Sequence, residues 1–177
     1  MSPTLSRENY FLTVINQIEE HTVEAGSLEE ELQQLLLDLA RLVQANQSFS
    51  HTVLERINSS FERYPAVHLK IKSIPQEEPA IPEPDSTKKP APGVRPSLLL
   101  YTQFVDGPDQ LKRMYMEALI SLLEALERKP IDLQTCTQCG SWFIPYERAS
   151  VTRFCSTKCR NRYHYLLGKT NRQEATS

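Results

Sequence analysis

The chain has 177 residues, of which 40% are hydrophobic and 24% are charged, a composition that excludes fibrous and membrane-embedded proteins. No apolar run approaches the roughly 20 residues needed to span a bilayer, and the N-terminus lacks the basic start and apolar core of a secretory signal. We therefore expect a cytoplasmic protein with no membrane partner, in a compartment that keeps thiols reduced.

The net charge of −2 conceals two parts of opposite charge. Residues 1–60 carry nine Asp or Glu against three Lys or Arg, a net charge of −6. Residues 136–177 carry seven Lys or Arg against two Glu, a net charge of +5. Such an asymmetry predicts different partners for the two parts, with a polyanion as the candidate partner of the basic part.

Apolar residues recur at helical spacing in the first third of the chain. The pattern predicts a helix over residues 6–20, a second over 27–45 and a third over 50–64, which stops before a proline. Ser27 and Glu30 form a capping-box pattern at the start of the second helix. The inward face of the third helix is expected to consist of Val53, Leu54, Ile57 and Phe61.

The next stretch changes from helical to alternating spacing. In residues 66–74 apolar and polar side chains alternate, which predicts a half-buried strand with Val67, Leu69 and Ile71 on one face. Residues 75–97 hold seven of the twelve prolines and few apolar side chains, so we expect a mobile, extended loop. Residues 98–105 then predict a short strand or the lead into a helix.

A long amphipathic helix is predicted to start at Asp106-Gly-Pro-Asp109 and to end at Lys129-Pro130. Its apolar stripe, like those of the other helices, indicates a packed core. No grouping of carboxylate, histidine and nucleophile and no phosphate-binding loop occurs in residues 1–130. We therefore expect no catalytic site and no enzymatic activity.

All four cysteines lie in two close pairs: two residues separate Cys136 from Cys139, and three separate Cys155 from Cys159. Four thiolates that converge on one point are the ligands of a structural zinc ion, and they leave no open position for a catalytic water. A redox dithiol would need one such pair in a βαβ context, which is absent, whereas an iron–sulfur cluster remains an alternative. The spacing therefore favours Zn²⁺.

The residues around the cysteines fit a treble-clef arrangement, in which a knuckle and a hairpin precede a helix that holds the last ligands. Gly140 suits the left-handed turn of the knuckle, and Ser156 can cap the helix that runs to Gly168. Residues 141–154 fit two short strands, with a small core of Trp142, Phe143 and Phe154. A module of about 35 residues needs the metal for most of its folding energy.

Residues 136–169, CTQCGSWFIPYERASVTRFCSTKCRNRYHYLLGK, resemble the C-terminal zinc finger of bacterial CGNR proteins. Arg153-Phe154-Cys155-Ser156 and Cys159-Arg160-Asn161-Arg162 occupy the places of that family's signature, although Arg160 stands where the family has glycine. The upstream layout is similar to the ABATE domain that precedes the finger. The resemblance implies a transcriptional regulator that binds DNA through its finger, with a sensing or ligand-binding role for the N-terminal domain.

Seven residues are candidates for nucleic-acid contacts: Arg148, Arg153, Lys158, Arg160, Asn161, Arg162 and Lys169. The cations can bind phosphates, and arginine and asparagine can read base edges. Tyr163 and Tyr165 must face different ways on a helix, so one is expected to be buried and the other to stack on a base or meet a partner. A solvated basic helix with no partner is the plainer alternative.

The sequence thus predicts a mainly α (α+β) fold with a short strand pair and a C-terminal treble-clef-like zinc finger. We expect a helical domain at 1–130 that includes the proline-rich loop 75–97, a four-cysteine finger at 131–170 and a disordered tail at 171–177. The favoured partner is nucleic acid, DNA before RNA, with homodimerisation through the N-terminal helices as a further expectation. The alternative function is an adaptor whose zinc module binds another protein.

Overall fold

A computed structural model of the chain describes residues 6–74, 97–145 and 153–174. Within these ranges it contains five α-helices and two antiparallel strand pairs, which confirms the predicted mainly α fold. The elements are α1 Tyr10–Asn16, α2 Leu28–Gln44, α3 His51–Arg63, β1 Val67–Ile74, β2 Ser97–Phe104, α4 Leu111–Arg128, β3 Gln134–Thr135, β4 Trp142–Phe143 and α5 Thr157–Glu174. None of the helices in the described part combines the length and apolar character that a membrane crossing requires.

The chain divides into two compact units. One comprises Met1–Ala66 together with Asp106–Ser177, and the other comprises Val67–Val105, which contains β1 and β2. The cysteine-rich segment therefore belongs to the same unit as the helices that precede it. The expected division into a domain at 1–130 and a finger at 131–170 stays a prediction.

The smaller unit is built on the antiparallel pairing of β1 and β2, in which Val67 lies opposite Phe104. Val67 on β1 is half-buried, but Leu69 and Ile71 are 73% and 70% exposed, so the expectation of a covered face is wrong for these two residues. An alternating sequence predicts which side chains share a face of a strand, but it does not predict whether another element packs against that face. The proline-rich residues 75–96 lie outside the described part of the chain.

The core of the larger unit forms where α4 packs against α1 and α2. Side chains with at most 1% exposure fill it: Phe11, Val14, Leu32, Leu35, Leu36, Leu39, Ala40, Tyr115, Met116, Ala118, Leu119, Leu122 and Leu133. Burying each large apolar side chain of this set contributes about 1.5–3 kcal/mol. The helical spacing of apolar residues in the sequence therefore corresponds to a real core.

The helices α2 and α3 begin where the sequence predicted, and a serine caps each of them. The Ser27 hydroxyl accepts a hydrogen bond from the Glu30 N–H at 3.2 Å, while the Glu30 carboxylate accepts one from the Gly26 N–H at 2.6 Å. The predicted capping box is thus confirmed, with its return bond made one residue earlier than expected. At α3 the Ser50 hydroxyl accepts from the Val53 N–H at 3.3 Å.

Three expectations about the helices are wrong. The first helix covers only Tyr10–Asn16, and a separate 3-10 turn follows at Ile18–Glu20. Leu54 on α3 is 45% exposed rather than inward. Asp106-Gly-Pro-Asp109 precedes α4 as a turn instead of forming its first turn, and the Asp106 carbonyl accepts a hydrogen bond from Arg113 at 2.7 Å.

Polar contacts fasten the start of α1 onto α4. The Arg7 guanidinium donates to the carboxylate of Glu117 at 2.9 Å, and this carboxylate is only 5% exposed. The Ser121 hydroxyl donates to the Arg7 carbonyl at 3.0 Å, and the Ser6 hydroxyl donates to Glu124. Because removing one partner of a buried charge is costly, these contacts fix where α1 lies.

Candidate metal centre

A tight turn between β3 and β4 presents the first cysteine pair. The Cys136 N–H donates to the Ser141 carbonyl at 2.9 Å, and the Gly140 N–H donates to the Cys136 carbonyl at 2.8 Å. Gly140 has a φ of +74°, the left-handed conformation expected from the sequence. The knuckle is thus held by its own backbone.

The partner of β4 is β3, so the hairpin encloses the knuckle. The sequence instead predicted a hairpin within 141–154. Residues 146–152 lie outside the described part of the chain, and Arg153 and Phe154 follow as irregular backbone.

The second cysteine pair lies at the start of α5. Cys155 precedes the helix, and Cys159 lies in its first turn. The Ser156 hydroxyl accepts a hydrogen bond from the Cys159 N–H at 3.2 Å, which confirms the predicted cap. A further bond, from the Thr137 N–H to the Arg153 carbonyl at 3.0 Å, joins the knuckle to the segment that carries Cys155.

The four sulfur atoms converge, and all lie within 4.8 Å of one another. Cys155 Sγ is 3.6 Å from Cys139 Sγ and 3.6 Å from Cys159 Sγ, whereas the sulfurs of a disulfide are only about 2.05 Å apart. A tetrahedral ion bound at about 2.3 Å from each sulfur would space the sulfurs about 3.8 Å apart. The cluster therefore fits a single metal ion, and the cysteines are free thiols rather than cystines.

The local environment gives the sulfurs different proton affinities. Burial raises the pKa of Cys136, but hydrogen bonds from the backbone N–H groups of Cys155, Cys139 and Gln138 outweigh it and lower this pKa to about 6. The Ser141 hydroxyl, 3.3 Å from Cys139 Sγ, lowers the pKa of Cys139. Burial and then the neighbouring thiols raise the pKa of Cys155 to about 12. A metal ion would have to displace the proton of Cys155.

Asn16, the last residue of α1, attaches the knuckle hairpin to the helical body. The knuckle hairpin comprises residues 134–143, and the helical body comprises α1, α2, α3 and α4. The Asn16 side-chain amide accepts from the Trp142 N–H at 2.7 Å and donates to the Trp142 carbonyl at 2.9 Å, as a neighbouring strand would. The Gln44 amide also donates to the Thr135 hydroxyl at 3.2 Å. Sequence reasoning missed Asn16, because nothing local marks a contact that spans 126 residues.

The predicted nucleic-acid contacts do not all share one face of α5. At about 100° per residue, Lys158, Asn161, Arg162 and Lys169 lie within about 100° of one another around the helix axis. Arg160 points to the opposite side. All five of these side chains are exposed, as is Arg153 before the helix, and Arg148 lies outside the described residues. We call the surface formed by Lys158, Asn161, Arg162 and Lys169 the cationic face.

A hollow of about 400 Å³ lies between the knuckle and the cationic face. It is lined by Gln138, Cys139, Lys158, Cys159 and Arg162. Two cations and one side-chain amide thus surround a space beside two of the four sulfurs. The sequence contains no signal for Gln138, since only the fold brings it to α5.

The aromatic residues of the finger separate into a half-buried group and an exposed one. Tyr163 is half-buried and its ring centroid lies 5.2 Å from that of Phe154. Tyr165 is 71% exposed, so the two tyrosines face different ways, as expected. Trp142 and Phe143 are half-buried on β4.

Comparisons with protein-family models, with curated proteins and with solved structures found no match for this chain. The resemblance to CGNR fingers therefore depends on residues 136–169 alone. Since a fold by itself does not define function, the functional argument must come from the cysteines and the charged side chains.

Proposed function

We propose that the chain is a zinc-dependent regulator of transcription that binds DNA through its C-terminal finger, and that it is not an enzyme. The observation that carries this proposal is a difference in ion pairing between the cations of the helical body and those of the finger. Six cations of the helical body form ion pairs with carboxylates, and Arg128 is an exception among the described residues: the six are Arg7, Arg41, Arg56, Arg63, Lys112 and Arg113. In the finger, none of the cations at 153, 158, 160, 162 and 169 has a carboxylate partner among the described residues.

Zinc is the metal that the ligand set favours. Four thiolates are typical of a closed structural zinc site. Zn²⁺ has no geometric preference from its d-electrons, so it can accept the arrangement that the four sulfurs present. The sulfur separations of 3.6 Å leave space for one ion. An iron–sulfur cluster would place several atoms between the same ligands, so this spacing argues against it.

Charge supports a polyanionic partner after the metal is included. Four thiolates with Zn²⁺ carry a charge of −2, which reduces the +5 of residues 136–177 to about +3. Exposed cations without carboxylate partners keep their full attraction for phosphates, and release of phosphate counterions then drives binding. Asn161 on the cationic face can in addition make paired hydrogen bonds with adenine. The resemblance to CGNR fingers supports DNA as the partner and a role in transcriptional regulation.

The test is a fluorescence anisotropy titration of the zinc-loaded chain with a labelled DNA duplex at two salt concentrations. Arg162→Ala is compared with Arg160→Ala, which removes the same charge from the opposite side of the helix. We expect Arg162→Ala to weaken binding and to reduce the slope of log affinity against log salt by about 0.9, the value for one lost phosphate contact. Arg160→Ala should change the slope less. No binding of either duplex or single-stranded DNA at about 50 mM salt, or equal effects of the two substitutions, would contradict the proposal.

A protein-binding adaptor is the second candidate, and two exposed leucines favour it. Leu166 and Leu167 on α5 are 43% and 47% exposed, and adjacent exposed apolar side chains can form part of a protein-binding surface. A partner that stays bound to the immobilised chain after nuclease treatment and in high salt would support this candidate.

A further inference from the structure

The geometry points to single-stranded nucleic acid as the ligand of the finger, with Tyr165 stacked on an unpaired base and with Lys158 and Arg162 on an adjacent phosphate. This inference rests on the proposed function and makes it more specific. Its test separates the failure of one from the failure of the other.

Tyr165 is placed among the cations of α5. It lies between the cations of the cationic face: about 4.5 Å beyond Arg162 along the helix axis, at 1.5 Å rise per residue, and about 6 Å before Lys169. Its ring is 71% exposed, whereas Tyr163 packs on Phe154 at 5.2 Å. The finger therefore uses one tyrosine for its own core and presents the other to solvent among cations.

An exposed tyrosine ring can stack on an unpaired base but not on a paired one. Within a duplex the faces of the bases are covered by their neighbours, and a protein can reach only base edges, sugars and phosphates. In a single strand each base has a free π-face that can stack on a tyrosine, whatever its identity. A flat aromatic surface flanked by cations is therefore complementary to an unpaired base with its phosphates.

A phosphate beside the stacked base has a place next to two cations. The hollow of about 400 Å³ beside the knuckle is lined by Lys158 and Arg162, and Gln138 adds a neutral amide. Neither cation has a carboxylate partner in the described ranges, so neither must give up an ion pair to bind phosphate. Arg162 stands one helical turn from Tyr165, so base and phosphate of neighbouring nucleotides can be held together.

The experiment measures binding of the zinc-loaded full chain to a labelled 12-nucleotide single strand of mixed sequence and to the same sequence as a duplex, by anisotropy. Tyr165→Ala should lower the single-strand affinity roughly 5- to 150-fold, the range for one lost base–aromatic stack, and should leave duplex affinity nearly unchanged. Tyr165→Phe should retain the affinity because it keeps the ring. Leu167→Ala is the matched control, an exposed apolar residue (47%) on the opposite side of α5.

Each result has one meaning. Wild-type binding that is tighter to the single strand, together with a selective loss in Tyr165→Ala, supports the inference. A duplex that binds as tightly as the single strand, or equal losses in Tyr165→Ala and Leu167→Ala, would overturn it while the proposed function stands. An absence of binding to both probes at low salt would overturn the proposed function itself and assign the exposed side chains of α5 to a protein partner. Zinc content and circular dichroism of each variant show whether it is folded.

Discussion

Replacing Asn16 with alanine should weaken the attachment of the knuckle hairpin to the helical body. The substitution removes two hydrogen bonds, of 2.7 and 2.9 Å, to the backbone of Trp142. A hydrogen bond contributes about 0.5–1.5 kcal/mol net, and the solvent beside this contact can satisfy part of what is lost. We therefore expect the hairpin to be destabilised by about 1–2 kcal/mol, which is about a 5- to 30-fold increase in its local opening.

The assay uses the single tryptophan of the chain, which lies at the contact. Denaturant titrations followed by Trp142 fluorescence report on the hairpin, far-ultraviolet circular dichroism reports on the helices, and hydrogen exchange of the Trp142 amide gives the local opening. Asn16→Asp should have an intermediate effect, because the carboxylate can accept from the Trp142 N–H but cannot donate to its carbonyl. Asn58→Ala, at an exposed position in α3, is the control. If Asn16→Ala and Asn58→Ala give the same Trp142 exchange rate, the attachment does not exist.

Three further predictions concern single groups. Gly140→Ala should lower the stability of the metal-loaded protein by about 1 kcal/mol because φ is +74° there, although a Cβ would meet no atom; an unchanged midpoint in a denaturant titration would contradict this. Burial, and then the hydrogen bond with Asp106, raise the pKa of Tyr64. The unfolded chain therefore loses this proton first, and the wild type should lose stability as pH rises above 10. Tyr64→Phe should be less stable than the wild type at pH 7 because it lacks the hydrogen bond, but its stability should fall less between pH 10 and 11. With a pKa of about 12 the Cys155 thiol keeps its proton until metal binds, so competition with a chromogenic chelator should show metal affinity falling at least about tenfold per unit decrease in pH.

The sequence predicted those parts of the molecule that local chemistry determines. The positions of the cysteines were enough to predict their convergence, because two short pairs can each direct both sulfurs to one point. The Ser27 cap was likewise predicted, since a cap involves residues only three apart, and the third helix was predicted to begin at Ser50, where the structure has a second cap. Gly140 was identified by the same logic, from a turn that requires positive φ.

What the sequence could not predict depends on contacts between distant segments. Asn16 has no local feature that assigns it to Trp142, and Gln138 lines the hollow beside α5 only because the knuckle folds against the helix. The exposure of Leu69 is the converse case, since alternation predicted a covered face without identifying what would cover it. The sequence analysis grouped all the basic residues together, although Arg160 and Arg162 are two residues apart and therefore project from opposite sides of α5.

The central claim is that one zinc ion is bound by Cys136, Cys139, Cys155 and Cys159. Elemental analysis of the purified chain, combined with X-ray absorption at the zinc edge, tests it most directly. The account predicts one zinc per chain with four sulfur neighbours at about 2.3 Å and no nitrogen or oxygen ligand. Iron with inorganic sulfide, a zinc site with fewer than four sulfurs, or a metal-free chain with disulfide bonds would contradict it.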